Sequence, residues 1–125
     1  MSVGYQYVVL RLVPSIEREE FLNVGVALYA QMADFLDARF PLDAARLAAF
    51  APTLAAADVE QSLASLCADV RGEPCPGRPD LPKLGQRFGW ISAPRSTIVQ
   101  PGPMHGGVSN DPGATLERLV DRLVR

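Results

Sequence analysis

The side chains best suited to chemistry are gathered in one stretch, Gln86-Arg87-Phe88-Gly89-Trp90-Ile91-Ser92-Ala93-Pro94-Arg95-Ser96-Thr97-Ile98-Val99-Gln100. It holds the chain's only tryptophan and two arginines, and the only histidine, His105, follows in a glycine- and proline-rich run. A guanidinium offers a planar fork of donors that matches phosphate or carboxylate, and serine and threonine hydroxyls add more donors. Arg95, Ser96, Thr97 and His105 therefore read as a candidate anion-binding site, with Trp90 and Arg87 beside it. A structural reading is equally physical: Arg95 pairs with a carboxylate, the hydroxyls stabilise a turn, and Trp90 anchors the loop on the core. His105 could move a proton near neutral pH. A lone histidine, however, excludes any mechanism that needs two histidines within one chain.

A second constellation lies nearer the N-terminus. If Val13 pairs with Phe21 across a short connection, Arg11 faces Asn23 and Val9 faces Gly25. A glycine inside a strand often marks close approach of another backbone or a ligand. Arg11, Asn23 and Glu20 could then meet the polar stretch; the alternative is a polar cluster that sets strand register.

Several chemistries are excluded or unsupported. Two cysteines and one histidine are too few for a zinc site, and Asp34, Asp37, Glu19 and Glu20 are too scattered for another metal. The run Gly102 to Gly107 matches neither a phosphate loop nor a dinucleotide fingerprint, and the phosphate-loop lysine is missing, so no cofactor is implied. No nucleophile-elbow pattern is present. A net charge of −2 provides no basic field for nucleic acid. No segment nears the ~20 apolar residues of a membrane span, and the start, Met1-Ser2-Val3-Gly4-Tyr5, has no signal-peptide pattern. The expectation is a cytoplasmic protein with Cys67 and Cys75 as reduced thiols, Cys67 filling core.

These residues must be positioned by elements that the pattern predicts. With 48% hydrophobic and 21% charged residues the chain is globular rather than disordered, and 125 residues suit a single domain over residues 1–125. Tyr5 to Val13 reads as a strand, with Val8, Leu10 and Leu12 on one side and Tyr5, Tyr7 and Arg11 on the other. Phe21 to Tyr29 reads as a second, its even positions Leu22, Val24, Val26 and Leu28 forming one aliphatic face. Phe35 to Phe40 completes an antiparallel meander. Helices are expected over Leu42 to Phe50 and over Asp58 to Val70, the latter with Asp58 and Gln61 as a capping box and Gly72 closing it. A proline-rich surface loop, Glu73 to Pro82, leads to a helical turn at Lys83 to Phe88 and a short strand at Ser96 to Gln100. Pro101 to Pro112 reads as loop. An amphipathic helix capped by Asp111 ends the chain. The predicted fold is α+β: a small antiparallel sheet, a three-stranded meander plus one later strand, with two to three helices packed on one face.

Two stretches, Glu20-Phe21-Leu22-Asn23-Val24-Gly25-Val26 and Arg87 to Pro101, resemble the two signatures of a bacterial domain-of-unknown-function family, the one numbered three-zero-three-seven. The tyrosine-rich first strand and the closing Asp111-Pro112 helix fit as well. The resemblance implies no activity. Members of that family are often encoded beside a kinase-like protein similar to the HipA toxins, which implies a partner or accessory role. The second signature leads one to expect a threonine after His105, where this chain has Gly106. Two functions follow: an accessory or binding domain that docks on a protein partner or an anionic small molecule through residues 87–105, and, as the alternative, a small hydrolase or transferase using Arg95 and His105.

Overall fold

The computed structural model describes residues 1–125. Its frame is a four-stranded antiparallel sheet of β1 (Val3–Leu12), β2 (Leu22–Ala30), β3 (Phe35–Arg39) and β4 (Val99–Ser109), in the order β3-β2-β1-β4. Four helices accompany it: α1 (Ala44–Phe50), α2 (Ala56–Arg71), α3 (Leu84–Ser92) and α4 (Pro112–Leu123). The expected α+β architecture, the meander and the later strand are all present. The helix number is four rather than two to three.

Sheet parity explains where the helices go. Val8, Leu10 and Leu12 of β1 are buried with Leu47 of α1, Val59, Leu63 and Leu66 of α2, and Phe88 and Ile91 of α3. On the opposite face Val26 and Leu28 are buried with Leu116, Leu119 and Val120 of α4, and Tyr5 and Tyr7 pack against them. The helices therefore cover both faces, not the one face expected, because two apolar sets of opposite parity both need burial. Each fully buried Leu or Val adds roughly 1.5–3 kcal/mol.

A bulge in β2 produces that division. Arg11 pairs with Asn23 as expected, but Leu10 pairs with Gly25 and Val9 with Val26, so Val24 is an extra residue opposite β1. The added residue reverses parity along the strand. Val24 packs with the three-helix face, whereas Val26 and Leu28 pack with α4, so the even positions do not form one aliphatic face. Gly25 lies on the three-helix face, and a Cβ there would come within 2.8 Å of the Arg39 carbonyl and strike the Phe40 ring.

Two further boundaries differ from the sequence reading. α3 runs on through Gly89 and Trp90 to Ser92, since Leu84, Phe88 and Ile91 recur on one helical face and Phe88 and Ile91 are buried. β4 passes through Pro101, Gly102 and Pro103 and continues to Ser109, where loop was expected. Prolines are tolerated there because β4 is an edge strand, and a bulge opposite Val9 takes up the irregularity. Asp58 and Gln61 do not form a capping box, because α2 starts earlier, with Ala55 as its N-cap. Gly72 closes α2 at φ 69°.

α4 is secured at both ends. The Asp111 carboxylate accepts from the Ala114 N–H at 3.2 Å, and the buried hydroxyls of Ser109 and Thr115 share a hydrogen bond of 2.5 Å. At the other end Asn23 Nδ2 donates to the Leu123 carbonyl and Arg46 Nη1 to that of Val124, satisfying carbonyls a helix end leaves without partners.

Gly25→Ala is expected to cost about 1–3 kcal/mol in urea unfolding, because the obstruction is backbone and ring. Gly89→Ala, with nothing within 4 Å of its added carbon, is expected to be neutral or to stabilise by up to about 1 kcal/mol. Equal effects at the two positions would contradict the packing described.

Candidate functional site

The polar stretch that dominates the sequence is divided among three structural roles. Arg87, on α3, donates through Nε to the Leu81 carbonyl at 2.8 Å and through Nη2 to that of Pro82 at 3.3 Å. Its guanidinium lies over Gly72, where an added Cβ would approach Nε to 2.6 Å. Arg87 thus ties the proline-rich loop and the end of α2 to α3.

Arg95 is half-buried, and its Nη2 donates to the carbonyl of Trp90. Burial lowers its pKa, and the nearby Asp69 carboxylate opposes that shift. Asp69 itself is 4% exposed, in the last turn of α2. Its Oδ1 lies 3.1 Å from Nε of Arg78, an arginine from the Glu73–Pro82 loop whose side chain is also only 4% exposed. Burial raises the Asp69 pKa; Arg78, then Arg95, then a hydrogen bond from the Trp90 side chain pull it back. Arg78 Nη2 also donates to the Glu73 carbonyl. The buried carboxylate is paired with Arg78 of the loop, while the Arg95 guanidinium, bonded to the Trp90 carbonyl, lies near enough to act on its charge, so the loop, α2 and the segment after α3 meet at Asp69. Nε and Nη1 of Arg78 complete no hydrogen bond of good geometry, so the contact with Asp69 is an ion pair rather than a bidentate fork.

Asp69 and Arg78 had no place among the residues singled out in the sequence. The available signal was a carboxylate on an apolar helix stripe, three residues after Leu66 and directly before Val70, both buried. An unpaired charge in that position would be costly, so a cationic partner is required.

Around this lock the Trp90, Ala93, Pro94, Arg95 and Thr97 side chains line a shallow groove of about 320 Å³ with a mostly apolar wall. Ser96 and Thr97 are exposed, but Thr97 Oγ1 donates to the Val99 carbonyl at 2.7 Å, and Gln100 Nε2 donates to the Thr97 carbonyl. Ser96 and Thr97 also border a second shallow groove with Val13 to Glu17.

His105 does not join them. It lies on β4 opposite Tyr7, exposed, its ring stacked on Tyr7 with centroids 5.2 Å apart, on the α4 side of the sheet. Six residues of strand separate it from Val99, about 20 Å at the usual rise. Arg11 and Asn23 are cross-strand neighbours on that same face. The Arg11 guanidinium rides 4.0 Å above the Phe21 ring and beside Gly102, while Arg11 Nε and Asn23 Oδ1 are buried without partners. Arg11 meets the polar stretch only at its last residue, as the cross-strand partner of Gln100, while Asn23 bonds the Leu123 carbonyl and Glu20 pairs with Arg18 on the exposed connection. No group of three or more His, Cys, Asp or Glu side chains that could hold a metal ion is present. Cys67 and Cys75 are free thiols; burial raises the pKa of Cys67, which disfavours its reactive thiolate. No helix is long and apolar enough to cross a membrane.

Comparison with known proteins places the chain in a family. Residues 7–124 match the family described as "Protein of unknown function (DUF3037)", and the chain belongs to that family. No curated protein and no solved structure matches it.

Removing the carboxylate leaves the buried Arg78 guanidinium without its partner and the half-buried Arg95 without the nearby charge that offsets its desolvation. Asp69→Asn is therefore expected to destabilise the fold by about 3–5 kcal/mol in denaturant unfolding, the usual cost of breaking a buried pair by removing one partner. A change under 1 kcal/mol would mean the three groups do not depend on one another.

Proposed function

We propose that the domain is a non-enzymatic docking module that binds a protein partner through the groove of Trp90, Ala93, Pro94, Arg95 and Thr97. One observation carries this reading: a tryptophan and an arginine, the residue types that dominate binding energy at interfaces, border an apolar depression and are already held in place. A side chain fixed before binding loses little conformational freedom on association. The kinase-like proteins similar to the HipA toxins, suggested by the resemblance above, are the first partners to test.

The other readings have less support. An anionic small molecule at Arg95 would meet a guanidinium already bonded to the Trp90 carbonyl and the repulsion of the nearby Asp69 carboxylate. A hydrolase or transferase that used Arg95 for binding and His105 for proton transfer would need them in one site, whereas they occupy different faces of the sheet.

The test is affinity purification of the tagged chain from its host, alongside Pro94→Asp and Thr97→Arg, which alter the exposed rim and spare the Asp69 lock. The expected outcome is a stoichiometric protein partner retained by the wild type and lost at least tenfold by both variants at unchanged melting temperature. Equal retention by the variants would place docking elsewhere. No partner, together with a melting temperature raised by phosphate or carboxylate ligands, would favour the anion-binding reading.

A further inference from the structure

The two edges of the sheet differ in how they are protected. β3 is five residues long and carries Asp37 and Arg39, with Arg39 bridged to Glu117 of α4 at 3.1 Å. Charges and a covering helix are common means of keeping such an edge from pairing. β4 is eleven residues long, and only its first half is guarded, by Pro101, Pro103 and the bulge opposite Val9. From Met104 to Ser109 there is no proline, no acidic residue and no lysine or arginine. Met104 and Val108 are 48% and 70% exposed. They lie opposite Val8 and Gly4, and are thus on one face of the sheet. Gly4 and Gln6 beside them, both exposed, leave that apolar surface uncovered.

For a second copy of the same strand, symmetry fixes the register. Along an edge strand, alternate residues turn their N–H and C=O groups outward, so only positions of equal parity can meet across a two-fold axis. Antiparallel pairing of β4 with a second β4 must then be centred on a residue, not between two. Centred on Gly106, it sets Met104 against Val108 of the second copy and Val108 against Met104 of the second copy. His105 then faces Gly107, which offsets the two imidazoles instead of opposing them. Centring on His105 would leave Val108 opposite Gly102, and centring on Gly107 would set Met104 against Asn110. Only the Gly106 register buries both apolar side chains on each other, and Pro103 ends the pairing at Ser109.

We infer that this chain forms a two-fold homodimer through β4, joining two four-stranded sheets into one continuous eight-stranded antiparallel sheet centred on Gly106. This surface is separate from the docking groove, which borders the other end of β4, so either assignment can fail without the other.

Sedimentation equilibrium over a wide concentration range tests the inference, with Val108→Lys as the disrupting variant. The wild type is expected to approach twice the 13.5 kDa chain mass, and the variant to associate at least tenfold more weakly. The register is tested by Gly106→Cys in a chain that also carries Cys67→Ala and Cys75→Ser. Across the axis the Cα atoms of facing residues lie about 4.5–5.5 Å apart, within the disulfide range of about 4.4–6.8 Å. Mild oxidation should then yield a covalent dimer, which Asn110→Cys in the same background should not. A wild type that stays monomeric throughout, or a dimer indifferent to Val108→Lys, would overturn the inference. A dimer sensitive to Val108→Lys but not cross-linked at position 106 would overturn the register.

Discussion

β1 is hydrogen-bonded on both sides, and its buried residues Val8, Leu10 and Leu12 all face the three-helix core, so its neighbours must adapt to it. β2 inserts Val24 as an extra residue, which lets one strand supply Ala27 and Val24 to the three-helix face and Val26 and Leu28 to α4. β4 adapts by a bulge opposite Val9. Without the β2 bulge, Leu22 and Val24 would share a face with Val26 and Leu28, and the three-helix core would lose two apolar side chains. The cost of a locally broken ladder is set against the burial of side chains worth roughly 1.5–3 kcal/mol each.

The second organising contact is electrostatic. The proline-rich loop between α2 and α3 has little apolar surface of its own, and α3 is short. Arg78, Arg87 and Arg95 tie these pieces together, with Arg87 and Arg95 directed at carbonyls and Arg78 at Asp69. A guanidinium suits this work because it keeps its charge when desolvated and has donors enough for several acceptors. The arginines that look in the sequence like a recognition site are thus largely turned inward, and the groove they leave is shaped by Trp90 and Pro94.

Local pattern made much of this legible. The parity of β1, the amphipathic stripes of α2 and α4, the Asp111 cap and the Arg11–Asn23 pairing all follow from residue spacing, and the family could be identified from its two signatures. What was not legible depends on tertiary context. A one-residue bulge leaves no mark in the alternation of Leu22, Val24, Val26 and Leu28, yet it redirects half of them. Proline and glycine at positions 101–107 signal loop by propensity, but an edge strand requires only one row of hydrogen bonds. Asp69 needed a partner that lies nine residues on, in a segment without regular structure. His105 and Arg95 are near in sequence and remote in space because an extended strand leads from one to the other.

That last point is the hinge of the functional account, since a loop at residues 101–109 would allow His105 to fold back toward Arg95. Cross-strand nuclear Overhauser contacts in the isotope-labelled chain measure it directly. Contacts from Leu12 to Val99, Tyr7 to His105, Tyr5 to Gly107 and Val3 to Ser109 are predicted, in unbroken succession apart from the bulge at Val9. Contacts that stop at Gln100, with random-coil shifts from Pro101 to Asn110 or with His105 close to Arg95, would contradict the account and return the paired enzyme site to consideration.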